Sequence, residues 1–364
     1  MYIPSSKSKF SQIILLCVAL ILFWWVNSSR IFVKEKYFAE KLQAAKIMAK
    51  AQEIIKQYHL DHNVFIDKIN DPNQTGLIGE KQTLITTDRG SLTAKLTSLN
   101  PNMAAVIVEL FKDARLQAGD RVAMSCTGSF PSINIAVMSA AKTLDLDLVM
   151  ITSVGASMFG ATSPVFTWLD METLLNEKEI FPYKSVAASL GGGRDLGRGL
   201  NRTGRDLILE AISRNNVDLV QTNSLEQNIT EKMKILNSYG SIDLYVNVGG
   251  GLSSLGNSIN GRLIGPGYHR HINIKNIPLK GTMFLFADEG DPIIHLLDIE
   301  ALAEKYGLPL APDPIPEPGS GKMFLDERYN LTITSIALAI LVLLVILVIF
   351  FDHKELKIKE GDIK

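Results

Sequence analysis

Apolar residues along the chain follow three rhythms. Two long runs near the ends, Ile13 to Val26 and Leu331 to Phe351, hold almost no polar residue. Between them, short apolar runs alternate with stretches in which apolar positions recur at helical spacing. The first rhythm predicts membrane spans; the other two predict strands and amphipathic helices. Arg121 to Ser157 shows the alternation best. Val122 to Met124 lead into Ser125-Cys126-Thr127-Gly128-Ser129, and an amphipathic stretch follows from about Ser132 to Leu144. A second apolar run, Leu148 to Val154, ends in Gly155-Ala156-Ser157. Strand, small-residue turn, helix and strand make a βαβ unit.

The same reading extends in both directions. In residues 34–58, Ala39, Leu42, Ala45, Ile47, Met48, Ala51, Ile54 and Ile55 recur among Lys, Glu and Gln. That predicts an amphipathic helix or stalk leading out of the membrane. Gln82 to Thr86 reads as a short strand and Met103 to Arg115 as a helix, with Asp71-Pro72-Asn73 and Asp88-Arg89-Gly90 as turns. Further on, Phe166 to Lys178 reads as a helix, Ser185 to Leu190 as a strand and Gly204 to Asn215 as a helix. Asp218 to Gln221 is a short strand, and Ser224 with Gln227 is a capping-box start for a helix to Tyr239. Leu244 to Val248 and Thr282 to Ala287 read as strands and Ile293 to Tyr306 as a helix. Strands alternating with helices predict an α/β domain over residues 59–307, with a mostly parallel sheet and helices on both faces.

The ends frame this domain with two transmembrane helices. Residues 1–33 form an amino-terminal anchor; a cleaved signal peptide is the rival, but Trp24-Trp25 are bulky for a site at Val26-Asn27-Ser28. Residues 308–330 form an extended linker, with Pro309, Pro312, Pro314, Pro316 and Pro318 followed by Gly319-Ser320-Gly321. Residues 331–351 are about 31 Å long at ~1.5 Å per residue, enough to span a bilayer. The tail, residues 352–364, carries Lys354, Lys357, Lys359 and Lys364, which places it in the cytoplasm. Lys7 and Lys9 precede the first span while Arg30, Lys34 and Lys36 follow it, so that span votes less clearly. Two spans put both termini on one side and the α/β domain outside the cell membrane.

Composition narrows the chemistry. A net charge of −1 gives no basic surface for nucleic acid. Of the two cysteines, Cys17 lies in the first apolar run, so no internal disulfide is expected, and Cys126 reads as a small buried strand-end residue.

Four predicted strand ends are rich in glycine or hydroxyls. They supply the candidate ligand-binding residues: Ser125, Thr127, Gly128 and Ser129; Gly155 and Ser157; Gly192, Gly193 and Arg194; Gly249, Gly250 and Gly251. Glycine lets backbone N–H groups approach an anion, and ligands of open α/β sheets bind at the carboxyl ends of strands. No dinucleotide or P-loop pattern is present, so no cofactor is identified. Ser125 and Ser129 occupy the place of a hydrolase nucleophile, although the G-x-S-x-G elbow is missing; a base would come from His269, His271 or His295. His269 and His271 make half a metal site, and Asp288-Glu289-Gly290-Asp291 reads as a polar turn, so no metal is predicted.

Several stretches are distinctive together: Thr86-Thr87-Asp88-Arg89-Gly90-Ser91-Leu92, Leu96-Thr97-Ser98-Leu99-Asn100-Pro101-Asn102, Ser125-Cys126-Thr127-Gly128-Ser129-Phe130-Pro131, Gly155-Ala156-Ser157 and Asn247-Val248-Gly249-Gly250-Gly251. In these the chain resembles the poly-gamma-glutamate system proteins, membrane proteins encoded beside the polyglutamate capsule synthesis machinery. The resemblance runs from the first span to about residue 307 and carries no catalytic residues. It implies a membrane-anchored accessory protein of poly-gamma-glutamate biosynthesis or export, with synthase membrane components, the membrane and an anionic polymer or small ligand as partners. Two alternatives stand beside it: an amidohydrolase or transferase acting on the gamma-glutamyl polymer, and a non-catalytic scaffold of the synthase.

Overall fold

The computed structural model describes residues 9–274 and 276–361, with side chains described up to Phe350. Lys7 and Lys364, part of the charge argument for topology, lie outside the described residues.

α1 (Lys9–Ser28) and β1 (Ile31–Lys34) open the chain. α2 (Phe38–Asp61), β2 (Thr86–Asp88), α3 (Leu92–Ser98) and α4 (Met103–Asp113) follow. β3 (Arg121–Thr127), α5 (Pro131–Thr143) and β4 (Asp147–Ser153) form the expected βαβ unit, with β5 (Ala156–Ser157) just beyond. The alternation continues through α6 (Trp168–Glu177), β6 (Ser185–Ser189), α7 (Arg202–Arg214), β7 (Asp218–Leu219), α8 (Leu225–Asn237) and β8 (Leu244–Val248). Next come α9 (Leu252–Leu255), β9 (Gly267–His269), α10 (Thr282–Glu289), β10 (Ile293–Leu296) and α11 (Ile299–Lys305). β11 (Leu325–Arg328) and α12 (Leu331–Gly361) complete the order.

Local chemistry starts several of these helices. The side chains of Ser91, Asn201 and Ser224 accept from the backbone N–H groups of Ala94, Gly204 and Gln227, which satisfies helix donors that have no partner of their own. Pro131 stands in the first turn of α5, where its missing N–H costs nothing.

The chain divides into two compact units, Met1–Glu35 with Leu325–Lys364, and Lys36–Phe324. The second is an α/β unit on a seven-stranded sheet in the order β7-β6-β4-β3-β8-β10-β9. Its pairings are parallel except for β9 against β10. Alternate residues of β3 enter different apolar clusters: Val122, Met124 and Cys126 join one, Ala123 another. α2 packs on α4 and α5 with Ala44, Ala45, Met48, Ala51 and Ile55 buried. A separate two-stranded parallel pair, β2 with β5, lies outside the main sheet.

Several expectations change. The helix expected as a stalk belongs to the core of the α/β unit; even Lys41 is buried there, paired with Glu109. The short strand falls at Thr86–Asp88 rather than Gln82–Thr86, and α3 follows it. Thr282 to Ala287 is helical: Gly281 opens it, and Thr282, Met283, Phe284 and Phe286 are buried. The run from Ile293 holds a strand first, because Ile293–Leu296 pairs with β8 and all four residues are buried; the helix begins after its own cap, Asp298. An uninterrupted apolar run does not separate strand from helix by periodicity alone.

The proline-rich segment is not a free linker up to Phe324. Its prolines lack N–H donors, and side chains of the domain bond what remains. Thr97 accepts from Ala311 N at 2.9 Å, and Asn102 accepts from Gly319 N at 2.9 Å while donating to Glu317 O at 3.1 Å. Leu308, Met323 and Phe324 are buried, each burial contributing about 1.5–3 kcal/mol.

In the other unit, α1 and α12 pack together and β1 pairs antiparallel with β11, Lys34 opposite Leu325. Arg30 lies 3.6 Å from Glu327 and 4.7 Å over the Tyr329 ring. Lys9–Ser28 and Leu331–Phe350 are long and apolar enough to cross a membrane.

Candidate functional site

β3, β4, β6 and β8 are parallel neighbours, so their carboxyl ends share one edge. That edge opens into a cleft of about 1010 Å³. Each of the four strand ends contributes to it. Thr127 ends β3 and Ser129 follows it; Gly155 and Ser157 follow β4; Gly192 and Gly193 follow β6; Gly250 and Gly251 follow β8. Gly191 and Gly192 have φ of +77° and +67°, the left-handed region that glycine enters without strain.

Four of the expected residues are elsewhere. Ser125 is buried beneath the edge and bonds the Tyr245 hydroxyl at 2.7 Å, within a cluster that includes Ser254 and Thr282. A hydroxyl locked there is not placed as a nucleophile. Gly128 is buried, and a side chain on it would strike the Val154 carbonyl oxygen. Gly249 packs against Thr127, and Arg194 is exposed outside the cleft lining.

The histidines are also displaced. His295 lies buried in β10 between Asn247 at 3.0 Å and Gly261 O at 3.0 Å, with its pKa lowered by burial. His269 contacts Gly265 O at 2.8 Å. No histidine lines the cleft among the described residues. Cys126 is fully buried in β3, and burial pushes its thiol pKa well up, away from the reactive thiolate.

Lysines occupy the positions where a base or an anion site needs a nitrogen. Lys232, from α8, reaches Asp195 at 2.6 Å, Ser189 and Ser253 at 2.8 Å and Ser153 at 3.3 Å. Asp195 Oδ1 and Thr127 Oγ1 are buried on the same edge with no partner in the protein. Lys95, from α3, is 2% exposed and has no acidic partner among the described residues. Its ammonium donates to the Ser129 carbonyl, reaches Ser157 Oγ at 3.1 Å and lies 3.6 Å over the Phe130 ring. Burial alone lowers its pKa to about 7.

The chain matches no protein-family model, no curated protein and no solved structure. The geometry therefore carries the reading of the site.

The acidic residues around the cleft have other work. Asp88 accepts from Arg89 N, Asp298 caps α11, and Glu300 accepts from Ser91 Oγ at 2.7 Å. Arg89, Arg198 and Arg262 line the cleft, are exposed and take part in no salt bridge among the described residues. Three unpaired guanidinium groups over glycine turns suit a ligand with several carboxylates. Sequence reading passed over Lys95, Lys232, Arg89 and Arg262. The one local signal for Lys95 is its place among the small residues Ala94, Thr97 and Ser98, which leave its stem free to bury.

Proposed function

We propose that this chain is a membrane-anchored protein that holds a carboxylate-rich ligand in the cleft at the carboxyl edge of its sheet. We infer the ligand to be the γ-linked glutamate polymer, in its synthesis or export. The observation that carries the first part is that Arg89, Arg198 and Arg262, without acidic partners among the described residues, line one cleft with Lys95. A polymer with one carboxylate per residue offers repeated partners to such a set. The identity of the polymer rests on the resemblance carried by Asp88-Arg89-Gly90 and its companion stretches.

The same reading places both termini in the cytoplasm and the α/β unit outside the cell membrane, with helices on both faces of the sheet. The split of β3 residues between two apolar clusters supports the covering helices. Synthase membrane components are the partners for α1 and α12.

The test uses the full chain in lipid nanodiscs and γ-glutamate oligomers, read by calorimetry. Arg89→Ala, Arg198→Ala and Arg262→Ala each weaken binding about tenfold, or ~1.4 kcal/mol. A neutral amide polymer is not bound. Absence of oligomer binding by the wild-type chain sinks the proposal.

A further inference from the structure

We propose that Ser157 and Lys95 form a nucleophile–base pair, which makes the cleft an acyl-transfer centre for amide bonds of a carboxylate-rich chain. The substrate class rests on the ligand proposed above; the pair itself rests on geometry.

Nζ of Lys95 has three neighbours: the Ser129 carbonyl oxygen, the face of Phe130 and Ser157 Oγ. In the neutral amine, two hydrogens serve the carbonyl and the ring. The lone pair is then left for the Ser157 hydroxyl proton. Burial lets that neutral form exist near pH 7. Asp88, Arg89 and Glu300 line the same cleft, and none is ion-paired with Lys95. Phe130 and Ser129 come from the turn before α5, and Ser157 from β5. A buried ammonium without a carboxylate partner is expensive, and among the described residues Lys95 has none. Lys232 differs: Asp195 and three serines hold it.

Two neighbouring serine hydroxyls are engaged elsewhere. Ser129 Oγ accepts from Ser157 N at 3.0 Å, which fixes the nucleophile's backbone, and Ser125 is bonded to Tyr245. Ser157 is half-buried and faces the cleft. Gly90 lies against it: a Cβ there would stand 3.2 Å from Ser157 Oγ. The space a side chain would take is filled by the Met158 carbonyl oxygen, which holds position 90 to glycine.

The step balances within the named groups. Ser157 Oγ attacks the amide carbon while Lys95 takes the hydroxyl proton. The C–N bond then breaks, and Lys95 returns that proton to the leaving amine. Water, or the amine of another chain, attacks the resulting ester and gives a proton to Lys95. The C–Oγ bond breaks and Ser157 recovers the proton. Lysine serves as base to a serine in unrelated hydrolases by the same logic.

The full chain in detergent is treated with a fluorophosphonate, and the modified residue is mapped by peptide mass spectrometry. Ser157 is expected to be labelled in the wild type, at a rate that rises as pH passes through about 7. Lys95→Arg, which keeps the charge but cannot lose it, and Lys95→Met each slow labelling by about 10²-fold or more. An unlabelled Ser157 in the wild type, labelling at Ser129 instead, or a Lys95→Arg rate within about threefold of wild type overturns the pair. Oligomer binding is measured beside it. Binding without labelling sinks only the pair; labelling without binding supports the pair and removes the glutamate polymer as its substrate.

Discussion

Lys232 and Asp195 face each other at 2.6 Å with side chains only 2% and 1% exposed. Lys232 rises from α8, Asp195 from the loop after β6, Ser153 from the end of β4 and Ser253 from α9. One ammonium thus ties together four segments that shape the cleft. Removing one member of a buried pair leaves the other charge without compensation. Lys232→Met and Asp195→Leu should each cost about 3–5 kcal/mol, seen as a lower denaturant midpoint of the full chain in detergent. The double change Lys232→Met/Asp195→Leu should recover much of that loss. A loss in the double variant equal to the sum of the two would contradict a coupled pair.

Glu172 carries a pH dependence of its own. Its carboxylate accepts from Ser185 N at 2.6 Å and Ser185 Oγ at 2.8 Å, yet burial raises its pKa from 4.5 to about 7. The folded state therefore binds the proton more tightly than the unfolded chain. The stability this supplies is full below pH 4.5 and is lost as pH rises through about 7. At ~1.36 kcal/mol per pH unit, the loss amounts to about 3 kcal/mol. Melting curves from pH 4.5 to pH 8 should fall more steeply for the wild type than for Glu172→Gln. Parallel curves would show that Glu172 does not titrate in this range.

Two glycines of the cleft should respond in opposite ways. A side chain on Gly90 would strike the Met158 carbonyl oxygen and crowd Ser157. Gly90→Ala should cost about 1–3 kcal/mol and weaken both binding and labelling. At Gly250 the nearest atom to a new Cβ is Leu297 Cδ1, at 3.7 Å. Gly250→Ala should stay within about 0.5 kcal/mol of wild type. Equal melting temperatures for the two variants would remove close approach as the reason for glycine at position 90.

Topology has a direct reading in cells. Lys81 is exposed on the α/β unit, while Cys126 is buried and Cys17 lies in the apolar α1. Lys81→Cys should react with a membrane-impermeant maleimide added to intact cells. Reaction only after permeabilisation would reverse the orientation.

Much of the architecture was legible in the pattern. β3, α5, β4, β6 and β8 fall where short apolar runs and amphipathic stretches predict them, because a nearly all-parallel sheet alternates with its helices. Thr282–Ala287 and Ile293–Leu296 exchanged character, because each is a short apolar run whose state is decided by its neighbours. For Ile293–Leu296 that neighbour is β8. The site was legible as an edge but not as a set of side chains. Glycine and serine mark strand ends within a few residues of sequence. Lys95 meets Ser129 and Ser157 only after segments 34 and 62 residues apart are brought together. Ser125, nearer the conventional place for a nucleophile, turned inward toward Tyr245 on a neighbouring strand.

The α/β unit begins and ends at one place. Phe38 and Phe324 meet edge to face with ring centres 6.1 Å apart, and Lys41 Nζ donates to Met323 O at 3.3 Å. In the other unit Lys34 stands opposite Leu325. In topological terms the unit is an insertion within a two-helix hairpin. Its adjacent ends make it a natural candidate for circular permutation, since closing the old ends needs only a short connection. The hairpin can likewise be closed by a tight turn between its paired strands, so each half of this protein is separable by a cut that breaks no strand of the seven-stranded sheet.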